Sequence, residues 1–240
     1  MKKKINIIIQ ARLSSSRLKK KIMLKINKKP LIFYIIERLR KVKGINKIIL
    51  STSQYKKNLK LIEYVKKENL DVYYENNKNE NDICSRLFNT CKEFPCDAFV
   101  KINGDCPIPE INIINRMISI YNDEFGVDYI SNKKDQWPLG YSAEIISLNS
   151  LKWCNENFRE LEDREFFATH LSSLNDKFKI IFLSNKIKFK YSYHMMIDTI
   201  HDFEIIKKVF LNIYKKKKYF NFRDVENYFK SIDQNINDNK

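Results

Sequence analysis

Hydroxyl and cationic side chains follow an apolar segment near the N-terminus. Arg forks and Ser hydroxyls suit phosphate oxygens, and Lys adds a mobile positive charge. The simplest ligand for such a loop is an anion, although a solvated basic turn has the same composition. The donors have no carboxylate among them: Arg12, Ser14, Ser15, Ser16, Arg17, Lys19, Lys20 and Lys21.

The apolar segment before this loop is what must position it. Residues 5–9 are rich in Ile, which predicts a strand buried on both faces, as in a parallel sheet covered by helices. Ligands of open α/β sheets bind beyond the carboxyl ends of the strands. We therefore expect the basic loop to lie at the ligand-binding edge of a sheet.

Other predicted strand ends also carry polar side chains. Asp105 follows Gly104 at the end of a strand over 98–102. It could bind Mg²⁺, which prefers one or two carboxylates, or simply close a turn. Ser53 follows the strand over 47–51 and could read a base or cap the next helix.

Two further acidic residues precede predicted helices. Asp82 is placed to cap a helix through residue 93, and Arg86 lies one turn into it. Thr199 and Asp202 predict a capping box, with Asp198 just before it at the end of a strand. Asp198 could itself be only a cap.

These segments, in this order, resemble the cytidylyltransferase family, which includes CMP-Kdo synthetases, CMP-acylneuraminate synthetases and the spore-coat polysaccharide biosynthesis proteins. The family's nucleotide loop reads roughly Ala-Arg-x-Gly-Ser-x-Arg-Leu-Pro-Gly-Lys. The chain has Ser14 where the family has Gly and Lys19-Lys20 where it has Pro-Gly. Because glycine permits close backbone approach to phosphate, we expect side chains to hold the phosphates here. The chain keeps Ala11, Arg12, Ser15, Arg17, Leu18 and Lys21.

The resemblance implies a fold and an activity. The fold is a three-layer α/β/α domain with a mostly parallel sheet, like that of nucleotide-diphospho-sugar transferases. The activity is transfer of a nucleotidyl group, CMP from CTP, to a sugar or sugar phosphate with release of pyrophosphate. Mg²⁺ is the expected cofactor, and a homodimer is expected from the resemblance alone.

The resemblance also assigns site residues. Arg12, Lys21 and Asp105 would be catalytic, and Asp105 and Asp198 would hold the metal. Gly140, Glu144 and Arg164 would bind the acceptor, although Arg164 could instead pair with Glu160 or Glu162 on the surface. Phe166 stands where the spore-coat branch usually has His. The residues expected to bind the nucleotide are Ala11, Arg12, Ser15, Arg17, Lys21, Ser53, Asp82, Arg86 and Asp105.

Composition limits the class of protein. The 240 residues are 43% hydrophobic, which predicts one well-buried α/β domain. The resemblance implies that this is a nucleotidyltransferase domain over 1–232, and a disordered tail is expected over 233–240. No stretch is long enough to span a membrane and no signal peptide is evident, so we expect a cytoplasmic protein. Five cysteines with no C-x-x-C pair indicate neither a disulfide framework nor a zinc site.

The net charge of +16 leaves a second class of function open. Such a charge attracts polyanions, but the basic residues are spread along the chain and form no nucleic-acid module, so no specific nucleic acid is expected. The alternatives are a catalytically idle polyanion-binding protein and a glycosyltransferase that uses a nucleotide sugar. Pro107 argues against the glycosyltransferase, which would usually have Asp-x-Asp at this strand end.

Hydrophobic periodicity predicts alternating strands and helices, and therefore a parallel sheet with right-handed crossovers. The predicted strands are 5–9, 47–51, 71–74, 98–102 and 127–131, followed by a hairpin of 178–183 and 186–193. The predicted helices are 30–44, 55–68, 82–93, 109–121, 151–158, 163–174, 199–214 and 221–231.

Overall fold

A computed structural model describes residues 3–15, 17–75, 79–132, 137–185 and 194–238 of the chain. Its strands are β1 (Ile5–Gln10), β2 (Lys25–Ile26), β3 (Lys29–Pro30), β4 (Ile48–Thr52), β5 (Asp71–Tyr74), β6 (Ala98–Asn103), β7 (Val127–Ser131), β8 (Glu144–Ser147) and β9 (Lys179–Phe182). Its α-helices are α1 (Leu31–Leu39), α2 (Tyr55–Lys67), α3 (Ile83–Glu93), α4 (Ile111–Asp123), α5 (Leu148–Asn157), α6 (Leu161–Glu165), α7 (Phe167–Leu171), α8 (Ile200–Ile213) and α9 (Phe222–Asp238). A 3₁₀ turn covers Lys21–Met23.

One large sheet organises the described residues. Its seven strands run in the order β5-β4-β1-β6-β8-β7-β9. Only β8 is antiparallel to its neighbours, β6 and β7, and every other pairing is parallel. The predicted mostly parallel α/β fold is confirmed.

Helices cover both faces of this sheet. Ile7 and Ile9 of β1 pack on the face covered by α1, α2 and α4, whereas Ile8 packs on the face covered by α3, α5 and α7. All three side chains are fully buried, as expected of a central strand in a three-layer fold. A third apolar cluster lies beneath α8 and α9.

The carboxyl ends of β1, β4 and β6 meet at one edge of the sheet. Gln10 lies opposite Ser51 of β4 and opposite Asn103 of β6. The basic loop after β1 and the turn after β6 therefore leave the sheet side by side. The expectation that these segments share an edge is met.

The predicted end of the first helix was wrong. Helix α1 ends at Leu39 rather than at Gly44, because the N–H groups of Lys41 and Val42 bond to carbonyls three residues back and Val42 turns into the core. Gly44 lies in the following loop with a φ of +74°.

The helix predicted over 163–174 is divided. It is broken at Phe166 into α6 and α7, where the Phe166 carbonyl accepts from the N–H groups of Thr169 and His170. The division presents Phe166 at the mouth of a cavity described below.

The C-terminal part of the chain also differs from expectation. Helix α9 continues to Asp238, where a disordered tail was expected from Asp233, because no glycine or proline interrupts it. Asp198 does not follow a strand within the described residues, and the second strand of the predicted hairpin lies outside them. None of the helices described is long and apolar enough to cross a membrane.

Candidate functional site

A cavity of about 380 Å³ opens at the carboxyl ends of β1 and β6. Both the basic loop and the turn after β6 contribute to its wall. The lining residues are Gln10, Ala11, Arg12, Ser15, Arg17, Lys21, Ile22, Ile83, Arg86, Lys101, Asn103, Gly104, Asp105, Glu165, Phe166, Ala168 and Thr169.

The two aspartates expected to bind metal converge on one lysine. The Nζ of Lys21 lies 3.0 Å from Oδ2 of Asp105 and 3.1 Å from Oδ1 of Asp198, and it donates to the carbonyl of Ile197 at 2.7 Å. Arg17 Nη2 lies 2.9 Å from the same oxygen of Asp198. Two cations and two carboxylates thus share one point at the sheet edge.

Backbone packing fixes the position of Asp105. A Cβ on Gly104 would lie 2.6 Å from Cβ of Ala11 and 2.7 Å from Cδ1 of Ile22, so only glycine lets the turn approach the basic loop this closely. The carbonyl of Asp105 accepts from the N–H of Ile197 at 2.9 Å. This hydrogen bond ties the segment before Asp198 to Asp105.

The donor set fits Mg²⁺. Two carboxylate oxygens contact the same ammonium group, and Mg²⁺ is commonly held by one or two carboxylates together with phosphate oxygens and water. Within the described ranges, no group of three or more His, Cys, Asp or Glu residues could hold a metal without such help. Asp105 and Asp198 would be its protein ligands, and a bound nucleotide would have to complete the shell.

A carboxylate that the sequence analysis missed holds the basic loop. Arg12 Nη1 donates to Oδ1 of Asn81 at 2.8 Å and lies 3.6 Å from Oε2 of Glu80. Glu80 also accepts from the hydroxyl of Ser14 and from Lys57. Burial raises the pKa of Glu80, but these hydrogen bonds and cations outweigh it, and the net pKa lies below the ordinary value.

Ser53 was predicted either to face the nucleotide or to cap the next helix. Its buried hydroxyl accepts from Nδ2 of Asn58 at 3.0 Å, and it does not line the cavity. Oδ1 of Asn58 in turn accepts from the N–H of Leu13 at 2.8 Å. The Asn58 amide therefore links α2 to the basic loop. Because the two residues are far apart in the sequence, no local pattern predicts this contact.

Asp82 and Arg164 bind each other rather than substrates. Oδ1 of Asp82 accepts from the N–H of Ser85 at 2.9 Å, which confirms the predicted helix cap. Its Oδ2 pairs with Nε of Arg164 at 2.9 Å. Arg164 also donates to the carbonyls of Asn155 and Phe158. Arg164 was predicted to contact the acceptor or to pair with Glu160 or Glu162. In the structure it is partly buried and pairs with Asp82, and neither residue lines the cavity.

Arg86, which was predicted to bind the nucleotide, lies in the wall of the cavity. Its guanidinium lines the cavity and is buried, and Nη1 donates to the carbonyl of Glu80 at 2.9 Å. Its Nε has no hydrogen-bond partner among the residues that the structure describes. Burial lowers the pKa of Arg86, and the positive charge of the nearby Arg12 lowers it further. A buried donor of this kind favours an acceptor atom on a ligand.

Gly140 and Glu144, which were expected to bind the acceptor, do not line the cavity described above. Gly140 has a φ of +95°, and a Cβ there would lie 2.2 Å from the carbonyl carbon of Met195. Glycine at this position allows the chain to pack closely against the backbone of Met195. Oε2 of Glu144 pairs with Lys101 at 2.7 Å, and Oε1 accepts from the hydroxyl of Tyr129 at 2.6 Å. Burial and the nearby carboxylate raise the pKa of Tyr129.

Comparisons with known proteins agree with this geometry. A family model described as cytidylyltransferase matches residues 6–234. The protein belongs to the cytidylyltransferase family. The spore coat polysaccharide biosynthesis protein SpsF of Bacillus subtilis (strain 168) is 25% identical over 215 residues, covering 86% of this chain and 86% of SpsF.

Solved structures show the same fold. The chain is similar to a cytidylyltransferase from Leptospira borgpetersenii serovar Hardjo-bovis, with a TM-score of 0.87 and 26% identity, covering 97% of this chain and 96% of that one. It is also similar to CMP:2-keto-3-deoxy-manno-octonic acid synthetase complexed with CTP, with a TM-score of 0.68 and 16% identity, covering 87% of this chain and 98% of that one.

The basic loop of this chain departs from the family pattern. Lys20, where the family pattern has Gly, adopts the left-handed conformation with φ +59°. Its N–H donates to the carbonyl of Leu13 at 3.0 Å. The chain therefore makes the loop's sharp turn without glycine, at the cost of backbone strain.

Proposed function

We propose that the protein transfers CMP from CTP to an oxygen of a sugar or sugar phosphate and releases pyrophosphate, with Mg²⁺ as cofactor. The family model and the CTP complex of the synthetase with the same fold support the nucleotide. The observation that carries the proposal is the convergence of Asp105 and Asp198 on Lys21 beside the basic loop. The two carboxylates there would hold the metal, and the neighbouring cations would bind the phosphates.

The basic loop would hold the triphosphate. Arg12, Ser15, Arg17 and Lys21 all line the cavity, and their donors suit phosphate oxygens. Ala11 allows the backbone to pass close to the ligand, and Arg86 would donate to the base or ribose. Ser53 and Asp82 have no part in this proposal, because they bind Asn58 and Arg164.

Transfer is a single displacement at the α-phosphorus. The acceptor oxygen forms a bond to this phosphorus, the bond to the oxygen that bridges to the β-phosphorus breaks, and pyrophosphate leaves with the electron pair. An acceptor phosphate attacks as the anion, whereas an acceptor hydroxyl loses its proton to solvent. Mg²⁺, held by Asp105 and Asp198 when bound, would neutralise charge on the phosphates. Lys21 and Arg17 donate to phosphate oxygens and stabilise the charge that develops. Positioning and electrostatics carry the reaction.

The biological setting is part of the proposal. The name of the SpsF relative supports a role in activating a sugar for a surface polysaccharide or glycoconjugate. We infer that the chain works as one catalytic domain, in a homodimer, in the cytoplasm. Gel filtration with light scattering would test the dimer.

The test is pyrophosphate release from each of the four nucleoside triphosphates against a panel of sugars and sugar phosphates. We expect CTP to be the preferred donor. Asp105→Asn should lower kcat by about 100-fold or more, because a charged ligand of the metal that neutralises the phosphates is lost. Asp71→Asn, which removes an exposed carboxylate paired with Lys47, is the matched control.

Two results would contradict the proposal. One is a near-normal rate in Asp105→Asn with an unchanged melting temperature. The other is the absence of turnover with every nucleotide, together with salt-sensitive binding to random DNA, which is what a polyanion-binding protein would show.

A further inference from the structure

Two residues of the basic loop are held by side chains that lie outside the cavity. Nη1 of Arg12 donates to Oδ1 of Asn81 at 2.8 Å and lies 3.6 Å from Oε2 of Glu80. The hydroxyl of Ser14 donates to the same oxygen of Glu80. Arg12 lines the cavity, whereas Ser14, Glu80 and Asn81 do not. Glu80 therefore contacts the loop at a place where it would not touch a ligand in the cavity.

Glu80 also connects the loop to two helices. Its Oε1 accepts from Nζ of Lys57 in α2 at 2.9 Å, and its carbonyl accepts from Nη1 of Arg86 in α3 at 2.9 Å. The side chain of Glu80 is only 13% exposed. Because both of its carboxylate oxygens accept hydrogen bonds, it is fixed between the loop and α2. The positive charges of Lys57 and Arg12 offset the charge of this carboxylate.

The contact between Ser14 and Glu80 depends on a residue at which the chain departs from the family pattern. Glycine at position 14 would give the backbone more freedom but would have no hydroxyl to donate. In this chain a side-chain hydrogen bond to a charged acceptor is present instead, and such bonds are stronger than those between neutral groups. The shape of the loop therefore depends on a contact with a neighbouring segment.

The contacts of Arg12 leave part of its guanidinium available to a ligand. Both contacts use Nη1, and no contact of Nε or Nη2 is found among the residues that the structure describes. The guanidinium is planar and has five donors in a fixed geometry. Fixing Nη1 against Glu80 and Asn81 therefore also fixes the direction in which the other donors point.

The donors of the loop bind phosphate more tightly if they are ordered before the ligand arrives, since ordering side chains on binding lowers affinity. We propose that Glu80 is a positioning residue for phosphate binding, which holds Ser14 and Arg12 so that the loop presents its donors to the triphosphate. Glu80 provides, through Ser14, the order that the loop glycine would not supply. This inference rests on the proposed function, and its test measures binding rather than turnover.

Calorimetry would measure the affinity of the protein for CTP and for inorganic pyrophosphate, each in the presence of Mg²⁺. Glu80→Ala should weaken the binding of both by about 10-fold, because the loop loses a hydrogen bond to a charged acceptor. Glu80→Gln retains an oxygen that can accept from Ser14, and its affinities should stay within about threefold of the wild-type values. Glu124→Ala, which removes an exposed carboxylate paired with Lys179, is the matched control and should change neither affinity.

A double-mutant cycle would assign the effect to the contact with the loop. Ser14→Ala should weaken pyrophosphate binding by about three- to fivefold. The double variant Ser14→Ala/Glu80→Ala should bind no more weakly than Glu80→Ala alone, because both substitutions remove the same hydrogen bond. A general loss of stability would not produce this coupling, and melting temperatures would show that each variant is folded at the temperature of the titration.

Three outcomes would overturn the inference. Unchanged or tighter binding of pyrophosphate by Glu80→Ala would mean that the carboxylate acts on phosphate only through its charge, or not at all. Equal losses in Glu80→Ala and Glu80→Gln would mean that the hydrogen bond from Ser14 is not the cause, and so would additive losses in the double variant. The proposed function fails differently, through the lack of any CTP binding or turnover in the wild-type protein.

Discussion

Replacing Lys20 with glycine should relieve backbone strain at the base of the basic loop. Lys20 has a φ of +59° at the start of the 3₁₀ turn that carries Lys21. The left-handed conformation costs an L-residue with a side chain about 1–2 kcal/mol. Glycine avoids this cost but loses about 0.5–1 kcal/mol more conformational entropy on folding. We therefore expect Lys20→Gly to raise the free energy of unfolding by about 0.5–1 kcal/mol.

The same substitution at Lys25 separates strain from the other effects. Lys25 is exposed on β2 and does not have a positive φ. Lys25→Gly removes the same charge and adds the same freedom to the unfolded chain, but it relieves no strain. It should lower the free energy of unfolding by about 0.5–1 kcal/mol. The two variants should differ by about 1–2 kcal/mol.

Urea denaturation followed by circular dichroism would measure both free energies, and melting temperatures should shift by about 2–4 °C for each kcal/mol in a chain of this size. Equal destabilisation by the two substitutions would refute the reasoning, because it would mean that the conformation of Lys20 stores no strain.

Two further predictions concern stability. Gly140→Ala should lower the free energy of unfolding by about 3 kcal/mol or more in urea denaturation, because a Cβ would lie 2.2 Å from the backbone of Met195. Gly126 also has a positive φ but has open space around it, so Gly126→Ala should lower the free energy of unfolding by only about 1 kcal/mol. Equal losses in the two variants would contradict the prediction. Asp202 is buried, which raises its pKa, but hydrogen bonds from Thr199 and Asp198 outweigh this and lower the pKa to about 2. Because the folded pKa is the lower one, this stabilisation of about 2 kcal/mol is present above about pH 4 and is lost as the pH falls towards 2. Asp202→Asn should therefore flatten the acid side of a plot of unfolding free energy against pH, and an unchanged slope there would contradict the assignment.

Local physical chemistry explains which features the sequence predicted well. Asp82 caps α3 and Thr199 with Asp202 forms a capping box, because a cap depends on residues three positions apart. Strands such as Asp71–Tyr74 and Val127–Ser131 were predicted with their observed bounds. The order of motifs along the chain was enough to predict the family, and the shared edge of parallel strands predicted that Asp105 would lie beside the basic loop.

Only the tertiary structure determined the partners of individual side chains. Lys21 and Asp198 are separated by 177 positions, and Asp82 and Arg164 by 82. Such contacts depend on how layers of helices pack on the sheet, which hydrophobic periodicity does not specify. For this reason the sequence did not predict that Arg164 pairs with Asp82, or that Glu144 on the antiparallel strand β8 pairs with Lys101. The types and spacing of residues determined the chemistry available to this protein, and packing determined which residues can use it.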